Sequence, residues 1–119
     1  MNNTNLEMTR ENTFSFDIAV TENEVPVNLT NGTLRMTAKW AVTDADASAV
    51  FQKSSPSTGI TFLVPASGTA NITIVEANTT AIPYHEVDLV YDIKFTDASG
   101  NEFTVMRGTL RVLPNVTRT

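Results

Sequence analysis

Val87-Asp88-Leu89-Val90-Tyr91-Asp92-Ile93-Lys94-Phe95 is the stretch whose reading decides the fold. Val87, Leu89, Tyr91, Ile93 and Phe95 fall on every second position, with Asp88, Asp92 and Lys94 between them. A period of two places one set of side chains on each side of an extended chain, so the segment reads as a strand with one buried face. Thr96-Asp97-Ala98-Ser99-Gly100-Asn101 then reads as a hairpin turn, and Glu102 to Leu113 as the returning strand. The returning strand changes phase: Phe103 and Val105 are odd, Leu110 and Val112 even. Such a slip requires a bulge or bend, and Gly108 is the residue expected to supply it.

The same alternation recurs toward the N-terminus. In Thr33 to Val42, Leu34, Met36, Ala38, Trp40 and Val42 share one face, and Arg35, Thr37 and Lys39 share the other. Trp40 is therefore expected in the core. Phe14, Phe16, Ile18 and Val20 mark a strand over Thr13 to Val20. Glu22-Asn23-Glu24 reads as a turn and Val25-Pro26-Val27 as a short extended piece. Asn28 to Gly32 is a turn cluster ending in Asn31-Gly32. Ile60 to Val64 and Thr69 to Val75 read as strands joined by Pro65-Ala66-Ser67-Gly68.

Two segments lose the alternation. Between Asp44 and Lys53, Asp44, Asp46 and Ser48 are placed to cap a helical turn carrying Ala49, Val50 and Phe51. Ser54 to Gly59 follows as a loop, and Glu76 to Pro83 reads as a loop with a short helical turn. The expectation is an all-β fold: a single antiparallel β-sandwich or barrel of about seven strands, with at most short helical turns. At 119 residues it forms one domain. Its polar tails, about 1–9 and 115–119, are expected to be ordered by a neighbour if at all.

Composition narrows the function. Hydrophobic residues make up 41%, a globular proportion. With no cysteine, disulfides and thiolate chemistry are excluded. The net charge of −5 and the scatter of eight basic residues along the chain argue against nucleic acid, whose phosphates call for clustered Lys and Arg. Met1-Asn2-Asn3-Thr4-Asn5 lacks a basic start followed by an apolar run, and no apolar run is of membrane length. A cytoplasmic site of synthesis and no membrane partner are expected. Asn-x-Thr triplets such as Asn71-Ile72-Thr73 reflect the abundance of Asn and Thr rather than glycosylation.

Little in the sequence builds an active site. His85, in Tyr84-His85-Glu86, is the single histidine and has no nucleophile motif beside it. Asp44-Ala45-Asp46-Ala47-Ser48 lacks the central Gly and closing Glu of a helix-loop-helix calcium loop. Glu86, Asp88 and Asp92 are expected on a solvent face. No enzyme, cofactor or metal role is expected; the expected work is binding other protein chains.

Three segments taken together carry a resemblance: Arg10-Glu11-Asn12-Thr13-Phe14-Ser15-Phe16; then Val25-Pro26-Val27-Asn28-Leu29-Thr30-Asn31-Gly32-Thr33-Leu34; then Tyr91 to Phe95, Asp97 to Gly100, and Arg107 to Val112 with Pro114 to Arg118. In this order they resemble small immunoglobulin-like β-sandwich domains of tailed-phage and prophage virion proteins, of the baseplate or fibre-attachment type. One departure is Glu11-Asn12, where that pattern has Gly-Asp after the Arg. With Thr119 as the last residue, the resemblance implies an attachment module standing alone.

The implied function is a virion structural protein at the tail or baseplate, joining subunits or attaching fibres and assembled in the bacterial host cytoplasm. The alternatives are a capsid decoration protein (head cement or head fibre) and a carbohydrate-binding module. The implied partners are other virion structural proteins and further copies of the chain in a symmetric assembly. Candidate interface residues, drawn from loops and tails, are Asn3, Asn5, Asp46, Phe51, Tyr84, His85, Val116 and Arg118.

Overall fold

The computed structural model describes residues 2–55 and 58–116. Among them the chain forms eleven strand segments: β1 (Asn2–Asn3), β2 (Leu6–Thr9), β3 (Phe14–Ala19), β4 (Thr21–Glu22), β5 (Val25–Pro26), β6 (Thr33–Lys39), β7 (Phe51–Ser54), β8 (Ile60–Val64), β9 (Thr69–Ile74), β10 (Val87–Thr96) and β11 (Glu102–Leu113). The helical content is three single 3-10 turns, at Asp46–Ser48, Pro65–Ser67 and Glu76–Asn78.

The strands form two packed layers. The larger sheet has the order β1-β11-β10-β6-β7, with β2 also on β11; the smaller has the order β3-β9-β8. The alternating residues of both sheets meet between them. Leu34, Met36 and Ala38 of β6, Leu89, Tyr91, Ile93 and Phe95 of β10, and Leu110 and Val112 of β11 are buried against Ile18, Ile60, Ala70, Ile72 and Ile74. The expectation of a mostly β fold with packed sheets is met, and its detail needs two corrections. There are more strands than seven, and the larger sheet is mixed, because β1 and β2 run parallel to β11.

The N-terminal residues are therefore not a free tail. Asn2 and Asn3 pair with Met106 and Arg107, and Leu6 to Thr9 pair with Leu110 to Leu113. Between the two pieces the Thr4 amide donates to the Arg107 carbonyl at 2.9 Å, and the Tyr91 hydroxyl donates to the Thr4 carbonyl at 2.5 Å. Gly108 makes this approach possible, since a Cβ there would overlap the Thr4 carbonyl oxygen. Its absent side chain serves strand approach rather than the phase slip. The slip is three residues before Gly108, where Ile93 faces Met106 but Lys94 faces Thr104, leaving Val105 as the extra residue of the bulge.

Burial pushes the Tyr91 phenol up to about 12. A folded value above the unfolded one, about 10, favours the fold below pH 10, and that contribution is lost as pH rises through 12. In a Tyr84→Phe background, tyrosinate absorbance is expected to rise near pH 12 together with loss of β-sheet ellipticity. A rise near pH 10 with the fold intact would contradict this.

β6 ends sooner than its alternation. Its ladder to β10 stops at Lys39–Val90, and the Lys39 ammonium is tied to the Asp44 carbonyl at 2.9 Å. Trp40 is 46% exposed and Val42 78% exposed, so neither is a core residue. Asp46 opens a 3-10 turn whose cap is Ala45, with no side-chain capping bond. Phe51 starts β7 opposite Ala38 and is buried at 6% exposure, so it belongs to the core and not to a helical turn or an outer surface.

The polar faces are organised too. On the outside of the smaller sheet the Asn71 amide donates to Asp17 at 2.8 Å and to Ser15 at 2.9 Å, while Ile72 points inward. The Asn71-Ile72-Thr73 triplet is strand alternation.

Arg10 closes one end of the sandwich. It is 4% exposed, donates to the carbonyls of Ile82 (2.6 Å) and Thr80 (2.5 Å) and to the Asn115 side chain (3.3 Å), and pairs with Glu11. The Tyr84 ring centre lies 4.0 Å from its guanidinium carbon. The turn beneath it closes with the Asn12 amide on the Thr9 carbonyl at 3.1 Å, and Glu11 takes φ 63°. That left-handed value at the third turn residue is the one that favours Gly.

Candidate functional site: a charged groove on the outer sheet face

The outward positions of β6, β10 and β11 line a groove of about 470 Å³. Arg35, Thr37 and Lys39 come from β6, Val90, Asp92 and Lys94 from β10, and Glu102 and Arg107 from β11; Val42 and Asp46 close one end. Strand register places the charges. Asp92 faces Arg107 on one side and Thr37 on the other, which sets opposite charges across the β10–β11 pair. Lys94 faces Arg35 directly across the β10–β6 pair. Two like charges opposed on neighbouring strands cost stability, and neither takes part in an ion pair with another described residue.

The groove gathers four of the chain's eight basic residues beside three carboxylates. It is locally cationic in a chain of net charge −5. Lys39 holds Asp46 at 2.7 Å, and this hydrogen bond, with the lysine charge behind it, keeps the Asp46 carboxyl below the usual carboxylate range. Asp46 is thus partly neutralised, which leaves Arg35 and Lys94 as the cationic centre. Further along the same face Arg111 pairs with Asp88 at 3.1 Å and Glu86 at 3.2 Å.

The residues singled out from the sequence do not converge. Asp46 lies in the groove. Asn5 lies in a smaller depression with Leu6, Glu7 and Arg111, and its side-chain oxygen accepts from the Thr109 amide at 3.2 Å. Asn3 contributes backbone pairing in β1. Tyr84 covers Arg10, and exposed His85 makes its ring contact with the Glu86 carbonyl at 3.1 Å. Val116 is 92% exposed, Phe51 is in the core, and Arg118 lies outside the described residues. Arg35, Lys39, Lys94 and Arg107 were missed because each reads alone as the polar side of a strand. The available signal was Arg35 and Lys39 four positions apart on the same face of β6, which becomes a patch only once β10 is known to be its neighbour.

Among the described residues no group of three or more His, Cys, Asp or Glu is arranged to hold a metal ion. Nor, among the described residues, is any helix long and apolar enough to cross a membrane. No family model and no curated protein matches the chain.

Proposed function

We propose that the chain is an immunoglobulin-like structural domain of a tailed-phage or prophage virion, acting at the tail or baseplate as an adaptor that joins protein subunits or attaches fibres. The observation that carries this reading is the strand order. In chain order, β3, β8 and β9 form one sheet and β6, β7, β10 and β11 the other. With β1 and β2 added in parallel along β11, this division supports an immunoglobulin-like reading, in which β7 would take the place of the strand that variable-type domains add. The first turn supports it as well, since Glu11 occupies at φ 63° the position where the resembling domains have Gly. The partners are then other virion structural proteins, and the place of assembly is the host cytoplasm.

Antibodies against the purified chain are expected to label the tail or baseplate of intact particles in electron micrographs. Peptides of the chain are expected in gradient-purified virions. Labelling confined to the head would replace the adaptor reading with capsid decoration. Recovery from host lysate alone, with none in purified particles, would remove the virion reading.

A further inference from the structure

The β4–β5 hairpin stands apart from both sheets. Its two strands pair only with each other, Thr21 with Pro26 and Glu22 with Val25, and residues 21–26 are all exposed. A two-stranded ribbon without a third strand is marginal in water unless something supports it. Its base is tied to the end of the sandwich by the Val27 amide on the Val20 carbonyl (2.9 Å) and the Val20 amide on the Gly68 carbonyl (2.8 Å). Its tip is a two-residue turn in which both residues are left-handed, Asn23 at φ 51° and Glu24 at φ 67°. Turns of this kind favour Asn-Gly, because the second residue meets no steric cost when it is Gly. Here that position holds a glutamate, which strains the backbone and displays an exposed carboxylate at the tip of the ribbon. Strain of this kind is a pointer to function when the side chain it preserves has work to do.

We propose that this acidic tip docks into the cationic groove of a second copy, with Glu22 and Glu24 against Arg35 and Lys94. The charges are complementary: two carboxylates in no ion pair with another described residue meet two cations that also have none. The apolar flanks match as well, since Val25 is 63% exposed beside Glu24 and Val42 lines the groove. The groove volume of about 470 Å³ suits a narrow tip rather than a second sheet face. Docking resolves the opposed Arg35–Lys94 pair by placing negative charge between them. Tip and groove are different surfaces, one at the end of the sandwich and one on the outer face of the larger sheet. With one tip in one groove per contact and no reciprocal exchange, as proposed, the contact is heterologous and propagates into a ring or filament instead of stopping at a two-fold dimer. This deepens the structural reading above by naming one partner, and it fails separately from it, because its test uses the purified chain with no particle present.

Sedimentation velocity of the purified chain in low salt is expected to show concentration-dependent species beyond a dimer. The association constant is expected to fall on the order of tenfold when the salt is raised enough to shorten the Debye length to about 3 Å. Glu24→Gly is expected to abolish assembly while its melting temperature stays equal to or above the parent's, because the strained turn relaxes. Arg35→Glu, at an exposed position, is expected to abolish assembly with the circular dichroism spectrum unchanged. A chain that is monomeric at every concentration, or one whose assembly survives Glu24→Gly, overturns the proposal. Assembly that stops at a two-fold dimer overturns it as well.

Discussion

Arg10→Ala is expected to destabilise the fold by about 3 kcal/mol, the scale for removing one partner of a buried charged network. That corresponds to a drop of roughly 10–20 °C in melting temperature for a domain of this size. Arg10 holds together three stretches far apart in the chain: the end of β2, the Thr80–Ile82 stretch of the loop after β9, and Asn115 beyond β11. Its acceptors at Thr80 and Ile82 are main-chain carbonyls, which no compensating side-chain change can remove. Truncation leaves the buried Ile82 carbonyl unpaired, leaves Glu11 without its cation, and leaves the Tyr84 ring without the guanidinium beneath it. Arg10→Lys keeps the charge but lacks the planar fork needed to reach several acceptors at once, so it is expected to recover less than half of the loss. Thermal and urea unfolding of both variants provide the check. A shift of only a degree or two for Arg10→Ala would show that these contacts are not holding the end of the sandwich closed.

The second large effect is expected at Gly108. A single added methyl in Gly108→Ala meets the Thr4 carbonyl, and the Asn5 side-chain oxygen lies 3.3 Å away. The obstacle is backbone, so it cannot swing aside, and the N-terminal segment must lift from β11. The expected cost is about 2 kcal/mol, as for overpacking a well-filled site. Three bonds are lost together: the Thr4 amide to Arg107, the Tyr91 hydroxyl to Thr4, and the Thr109 amide to Asn5. Amide exchange at Thr4 and Thr109 should therefore accelerate, and proteolysis should remove the first residues. Release of the strand also opens Tyr91 to water, so its phenol should titrate below the value of about 12 that burial imposes. Unchanged exchange at Thr4 would show that β1 tolerates a side chain beneath it.

These two residues also mark the limit of what could be read without the fold. Arg10 was visible only as the first residue of a turn motif, since its partners at 80, 82 and 115 are distant in sequence. Gly108 was expected to mark the bulge in β11. The bulge falls instead at Val105, because the phase change shows that an extra residue exists but not where the ladder absorbs it. Trp40 and Val42 continue the alternation of β6 past the point where β10 stops pairing, so the pattern gave their side of the strand and not their burial. The N-terminal strands carry no alternation strong enough to announce them: only Leu6 and Met8 are apolar in Leu6–Thr9, and the pairing depends on an edge offered by β11. The groove was illegible for the same reason. Arg35 and Lys94 are 59 positions apart and become opposed only through the β6–β10 register.

The sequence alone determined the strands at the centre of both sheets, the direction of their side chains, and the turns at Glu22–Glu24, Asn28–Gly32, Pro65–Gly68 and Thr96–Asn101. Those features follow from a period of two and from local backbone preferences, both confined to neighbouring residues. Only the tertiary structure decided which strands lie side by side, where each ladder ends, that the first residues complete the larger sheet in parallel, and that four scattered cations share one groove. Each of these depends on contacts between distant segments, whose energies arise after the chain has closed on itself and leave no periodic trace along it.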